Sequence, residues 1–311
     1  MAINKAVRAA LRALSYADLD VKKHYRLFRF FVHLTHYPIL RPLYQTWDRR
    51  ILSDGYEIPV RIFLPKKDNG VMIFFHGGGW VTGNIGSYNK VCANMARLTN
   101  RRVISVDYRL APEFKFPAAP EDCYAVCRAV FARSDALGVK KEDIVLIGDS
   151  AGANLAAAVS LMARDRGEFA VKKQILIYPA TYCDHSDSSP FASVVENGTD
   201  YLLTSKRICD YMELYLDKPE NRKNPYFAPL LAEDLSCLPD TLLITAQYDP
   251  LRDEGEAFGR KLARDGTRVQ MHRMENALHG FFSLPPAFLQ VRTAYRYVNQ
   301  FLSEEIQDGN T

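Results

Sequence analysis

The chain has 311 residues, of which 48% are hydrophobic and 24% charged, with a formal net charge of +4. At this length roughly three-quarters of the unfolded surface is buried, so the fold needs no disulfide or metal staple, and the composition excludes disordered and fibrous classes. No run of about eighteen uncharged apolar residues occurs, which argues against a membrane span, and the small, local basic excess without a recognition motif argues against nucleic acid.

The excess sits at the start, in Lys5, Arg8, Arg12, Lys22, Lys23, Arg26, Arg29 and Arg41. Ala10, Leu11 and Leu14, then Leu27, Phe28 and Phe31, fall at helical spacing. The basic residues therefore read as the solvated face of amphipathic helices, with steering of anions or contact with a membrane surface as the rival reading. The start also lacks the apolar stretch and small-residue cleavage site of a secretory signal. Cys92, Cys123, Cys127, Cys183, Cys209 and Cys237 are scattered, without metal-ligand spacing. Free buried thiols in a reducing cytoplasm are the expectation.

Asp54-Gly55 between two β-rich runs predicts a hairpin, and Pro59 in its second strand predicts a sheet edge. Short apolar runs follow at Val71–Phe75, Val103–Val106, Ile144–Ile147, Gln174–Tyr178, Thr241–Ala246 and Arg268–Arg273. Helical stretches such as Ala119–Arg133, Ala151–Arg164 and Glu254–Asp265 lie between them. This alternation predicts an α/β fold with a mostly parallel sheet of about eight strands covered on both faces. The expectation is one domain, with a helical cap formed by about 1–45 and about 183–223 over a core of about 46–182 and 224–303.

Gly148-Asp149-Ser150-Ala151-Gly152 fits G-x-S-x-G, directly after one predicted strand and before an Ala-rich helix. A nucleophile on such a sharp turn is strained, so its neighbours two positions away must be small. The helix start then aims its N–H groups at the reacting centre. His76-Gly77-Gly78-Gly79-Trp80, after the strand Val71–Phe75, suits an oxyanion-binding loop, because consecutive glycines let a carbonyl approach the backbone closely. Neither a dinucleotide fingerprint nor a P-loop lysine is present.

A catalytic acid and a histidine are expected downstream, in that order. Asp249 comes first in the loop after Thr241–Ala246, whereas Asp253 and Glu254 fall where a helix begins and read as N-caps. His279 lies on a short Gly-containing loop after the last strand. His24, His33, His36, His185 and His272 read as cap or surface residues, and His76 as a brace for its own loop.

Together the segments resemble the hormone-sensitive-lipase-like family of α/β-hydrolases, in which HGGG, GDSAG, DPLxDEG and HGF occur in this order. Tyr108–Glu113 and Phe116–Asp122 also match segments typical of it, and the resemblance spans roughly residues 45 to 303. Ala153 departs from the pattern, where many members have another glycine. The resemblance implies Ser150 as nucleophile, His279 as base, Asp249 as the orienting acid, and Gly78, Gly79 and Ala151 as oxyanion donors. It also implies a preference for short- to medium-chain acyl esters, and members often form homodimers.

The expected function is therefore carboxylic ester hydrolysis through an acyl-enzyme, with a small-molecule ester as substrate and no metal or organic cofactor. Two rival readings are a non-catalytic small-molecule receptor on the same scaffold and a specialised deacetylase or amidase. Trp80, Tyr178, Tyr182, Phe191 and Phe281 are candidates for lining the substrate pocket, and each also suits core packing.

Overall fold

The computed structural model describes residues 20–35 and 45–304. The helical spacing of Ala10, Leu11 and Leu14, the residue His36 and much of the first expected cap segment lie outside the described residues. In chain order the elements are α1 (Val21–Thr35), β1 (Thr46–Ser53), β2 (Tyr56–Phe63), β3 (Val71–Phe75), α2 (Asn89–Thr99), β4 (Arg102–Val106), α3 (Ala118–Ala132) and β5 (Ile144–Asp149). There follow α4 (Ala151–Arg166), β6 (Lys173–Ile177), α5 (Ala192–Asn197), α6 (Ser205–Tyr215), β7 (Asp240–Tyr248), α7 (Arg252–Arg264), β8 (Val269–Leu278) and α8 (Leu289–Ser303).

The eight strands form one sheet in the order β1-β2-β4-β3-β5-β6-β7-β8. The two pairings that involve β2 are antiparallel, and every later pairing is parallel. A parallel sheet buried on both sides needs apolar residues at successive positions, and β3 supplies them. Val71, Ile73 and Phe75 enter one core with residues of α3, α4 and α7, while Met72 and Phe74 enter the other with residues of α2 and α8.

Asp54 and Gly55 turn the β1–β2 hairpin with φ of 47° and 78°, as a two-residue turn with both central residues left-handed requires. The hairpin does lie at the edge of the sheet, but β1 is the edge strand and Pro59 sits one strand inside. The missing N–H is tolerated there for a different reason. The Pro59 carbonyl accepts from Asp107 N (3.0 Å), so the ring nitrogen faces the same side, just past the end of β4. Cys92, Cys123, Cys127 and Cys183 are buried free thiols as expected, whereas Cys209 is half-buried and Cys237 exposed.

Candidate active site

Ser150 occupies the sharp turn between β5 and α4 with φ 55° and ψ −120°, a strained conformation for a residue with a side chain. The strain is held by its surroundings: Ser150 N donates to Ile177 O (2.9 Å) on the neighbouring strand. The glycine two positions on has a packing reason. A Cβ on Gly152 would lie 2.0 Å from Phe75 O, so only glycine lets the start of α4 rest against the end of β3. Ala153 next to it is fully buried without conflict.

His279 follows β8 and reaches back over the sheet. Its Nε2 lies 2.9 Å from Ser150 Oγ and its Nδ1 lies 2.7 Å from Asp249 Oδ2. Asp249 is fully buried at the end of β7, and its Oδ1 accepts from Leu251 N (2.9 Å), which fixes the carboxylate. The Tyr178 ring sits 4.6 Å from the imidazole and supports it from below.

The loop His76–Trp80 faces Ser150. Gly79 (φ 60°) meets the Tyr211 ring of α6 so closely that a Cβ would lie 2.4 Å from it. Among the described residues the N–H groups of Gly78, Gly79 and Ala151 make no loop or side-chain hydrogen bond, and all three residues line the cavity before Ser150. Behind the loop, the His76 ring stacks on Tyr108 at 4.4 Å, with Nδ1 2.8 Å from Gly77 O. Burial pushes the His76 pKa down, so the ring is a neutral brace.

The cavity, about 210 Å³, is lined by catalytic-edge residues and by Trp80, Leu203, Ile208, Tyr211 and Leu251. Of the five aromatics considered for the pocket, Trp80 alone lines it, and most of that ring is committed to stacking on Tyr215 at 4.6 Å. Tyr178 and Phe281 pack on each other beneath His279, and Tyr182 and Phe191 pair edge to face, away from the lining. Ile208 and Tyr211 escaped the sequence reading, because an amphipathic helix does not reveal which of its apolar residues faces a cavity, and Leu203 escaped it on the loop that leads into α6. Among the described residues no group of three or more His, Cys, Asp or Glu side chains converges as metal ligands do.

Residues 72–283 match the family model described as alpha/beta hydrolase fold. The chain belongs to the α/β-hydrolase family, in its hormone-sensitive-lipase-like branch. The hydrolase is 39% identical to an arylesterase of Saccharolobus solfataricus over 80% of this chain and 81% of that protein. It is 34% identical to an ethyl acetate hydrolase of Pseudomonas putida, over 74% of this chain and 73% of the other. Among solved structures, the hyperthermophilic esterase of the archaeon Pyrobaculum calidifontis superposes with a TM-score of 0.85 at 37% identity, covering 97% of this chain and 98% of that one.

Two carboxylates of the hydrolase differ from the sequence reading. Neither Asp253 nor Glu254 caps α7, whose cap position is Leu251 and carries no side-chain hydrogen bond. Asp253 accepts from Ser193 N (2.8 Å) and Arg252 Nε (2.7 Å), which stitches α5 to the acid loop. Glu254 is fully buried, accepts from Thr181 N (2.7 Å) and Tyr182 N (3.2 Å), and lies 2.5 Å from His185 Nε2. His185, within the segment 183–223 expected to form part of the cap, is buried as well. Long-range pairing of this kind leaves no local pattern in sequence. His272, half-buried and stacked on Tyr297 at 3.8 Å, and the exposed His24 play no part in the site. Asn197 and Ser193 of α5 also brace the acid loop, through Asp249 O (3.3 Å) and Pro250 O (2.8 Å).

Proposed function

We propose that the chain is a serine carboxylesterase that cleaves short- to medium-chain acyl esters. The observation that carries this reading is the relay Ser150 Oγ, His279 Nε2, His279 Nδ1 and Asp249 Oδ2, joined by contacts of 2.9 and 2.7 Å in front of a cavity. His279 takes the Ser150 proton as Oγ attacks the ester carbonyl, then returns it to the departing alcohol. Asp249 holds the imidazole tautomer and stabilises the imidazolium. The N–H groups of Gly78, Gly79 and Ala151 receive the oxyanion, and water repeats the cycle to release the acid.

The cavity volume of about 210 Å³ lies below the ~300–1,000 Å³ of pockets that hold drug-sized ligands, which favours a small acyl group. The names of the relatives, an arylesterase and an ethyl acetate hydrolase, support the same class. The intact relay disfavours a receptor reading. An amidase would use the same residues, so ester and amide analogues separate those two.

The test is hydrolysis of p-nitrophenyl esters from acetate to dodecanoate, with a fluorophosphonate probe and mass-spectrometric location of the label. Turnover that peaks at short chains, with Ser150 labelled, is expected. Ser150→Ala should cost about a millionfold in kcat; folded wild-type protein with neither turnover nor labelling would favour the receptor. Cytoplasmic residence fits the buried thiols, with burial pushing Cys92 up to about 12. Homodimerisation fits β8, an edge strand that exposes Met271, and light scattering tests it.

A further inference from the structure

Asp149, next to the nucleophile, has a nearly fully buried side chain that makes no ion pair with a lysine or arginine among the described residues. Its Oδ1 accepts from Gly77 N (2.8 Å) in the oxyanion loop. Its Oδ2 accepts from the hydroxyls of Tyr88 (3.0 Å) and Tyr178 (3.4 Å). The Tyr178 ring in turn packs on His279 (4.6 Å) and on Phe281 (5.4 Å), which ties it to the segment that carries the base. One carboxylate thus gathers the nucleophile turn, the oxyanion loop, the start of α2, the end of β6 and the histidine segment. An ionised carboxylate only accepts, which suits three donors, whereas an amide in its place turns an NH2 group towards donors.

We propose that Asp149 is a positioning residue that clamps the oxyanion loop and the histidine segment onto the nucleophile turn, and so sets kcat. This rests on the esterase reading. Burial pushes the Asp149 carboxyl up to about 6, against the hydrogen bonds from Gly77, Tyr88 and Tyr178 and the attraction of His279. Cys92 and Tyr108 are the further titratable groups that sense its charge. Protonation turns one acceptor oxygen into a donor, so the clamp loosens on acidification.

The experiment compares wild type, Asp149→Asn and Tyr88→Phe on p-nitrophenyl butyrate from pH 5 to 9, with active sites counted by fluorophosphonate. Inhibition by a trifluoromethyl ketone, whose adduct places an oxyanion in the hole, is measured beside it. In Asp149→Asn, kcat per titrated site should fall about ten- to hundredfold, as small misplacements do, while KM changes little. Ketone affinity should weaken by a similar factor, the acid limb of kcat should lose one proton dependence, and Tyr88→Phe should reproduce part of each change. Unchanged kcat per titrated site, or unmoved ketone affinity and pH profile beside a lowered melting temperature, would overturn the proposal. If Asp149→Asn does not fold, Tyr88→Phe is judged by the same readouts. Failure of the esterase reading itself is distinct, because wild type would then neither turn over esters nor take the label.

Discussion

At Asp249 the choice of acid turns on where two neighbouring carboxylates spend their hydrogen bonds. Asp249 Oδ2 accepts from His279 Nδ1 at 2.7 Å, while Asp253, four residues on, accepts from Ser193 N and Arg252 Nε. Asp249→Asn should therefore lower kcat by about four orders of magnitude through the wrong imidazole tautomer. Asp253→Asn should change kcat only a few-fold, and steady-state kinetics of the two variants on one ester decides the assignment. The pair Glu254 and His185 belongs to stability. Removing Glu254 leaves the Thr181 and Tyr182 N–H groups without their acceptor in the interior, a loss of about 1–3 kcal/mol for each. Glu254→Ala should lower the unfolding free energy by that amount, read as a lower urea midpoint at unchanged slope, while kcat of the folded fraction stays within a few-fold.

Among the elements, α6 supplies one wall of the cavity. Ile208 and Tyr211 project from it into the lining, and the Tyr211 ring sits against Gly79. Tyr211→Ala should open the wall and raise kcat/KM for octanoate relative to butyrate by about tenfold, the range that a few methylenes of fit command. The core was readable element by element, since G-x-S-x-G, the glycine loop and the terminal histidine each follow an apolar strand. Local rules hold there: a strand ends, the chain turns, and small residues are required by close backbone approach. The pocket was not readable in the same way. Trp80 was found through its place beside the glycine loop, whereas Ile208 and Tyr211 of α6, and Leu203 on the loop before it, reach the cavity through the docking of that segment, which is a tertiary event. Asp253 and Glu254 were misread because position at a helix start favours capping, and partners sixty or more residues away in sequence overrode it.

For the molecule as a whole, Asp149 ties pH to stability. Burial penalises its charge in the fold and pushes its carboxyl up to about 6, above the usual carboxylate range. A raised carboxyl contributes stability that is fully present below about pH 4 and lost as pH rises through 6. The shift of about two pH units corresponds to about 3 kcal/mol. Wild type minus Asp149→Asn, compared by urea unfolding at pH 4 and pH 8, should fall by up to that amount; a difference independent of pH would show that Asp149 ionises in the fold as it does in water. The contact between Tyr211 and Gly79 has a consequence for how such a protein diversifies. In the proposed mechanism the wall that meets the acyl group also leans on the backbone that receives the oxyanion, so substrate range and turnover are not independent traits. A lineage or a library that widens the pocket at Tyr211 loosens the loop in the same step, and broad acceptance would arrive first as slow catalysis, recovered only by later changes that brace Gly79 from another side.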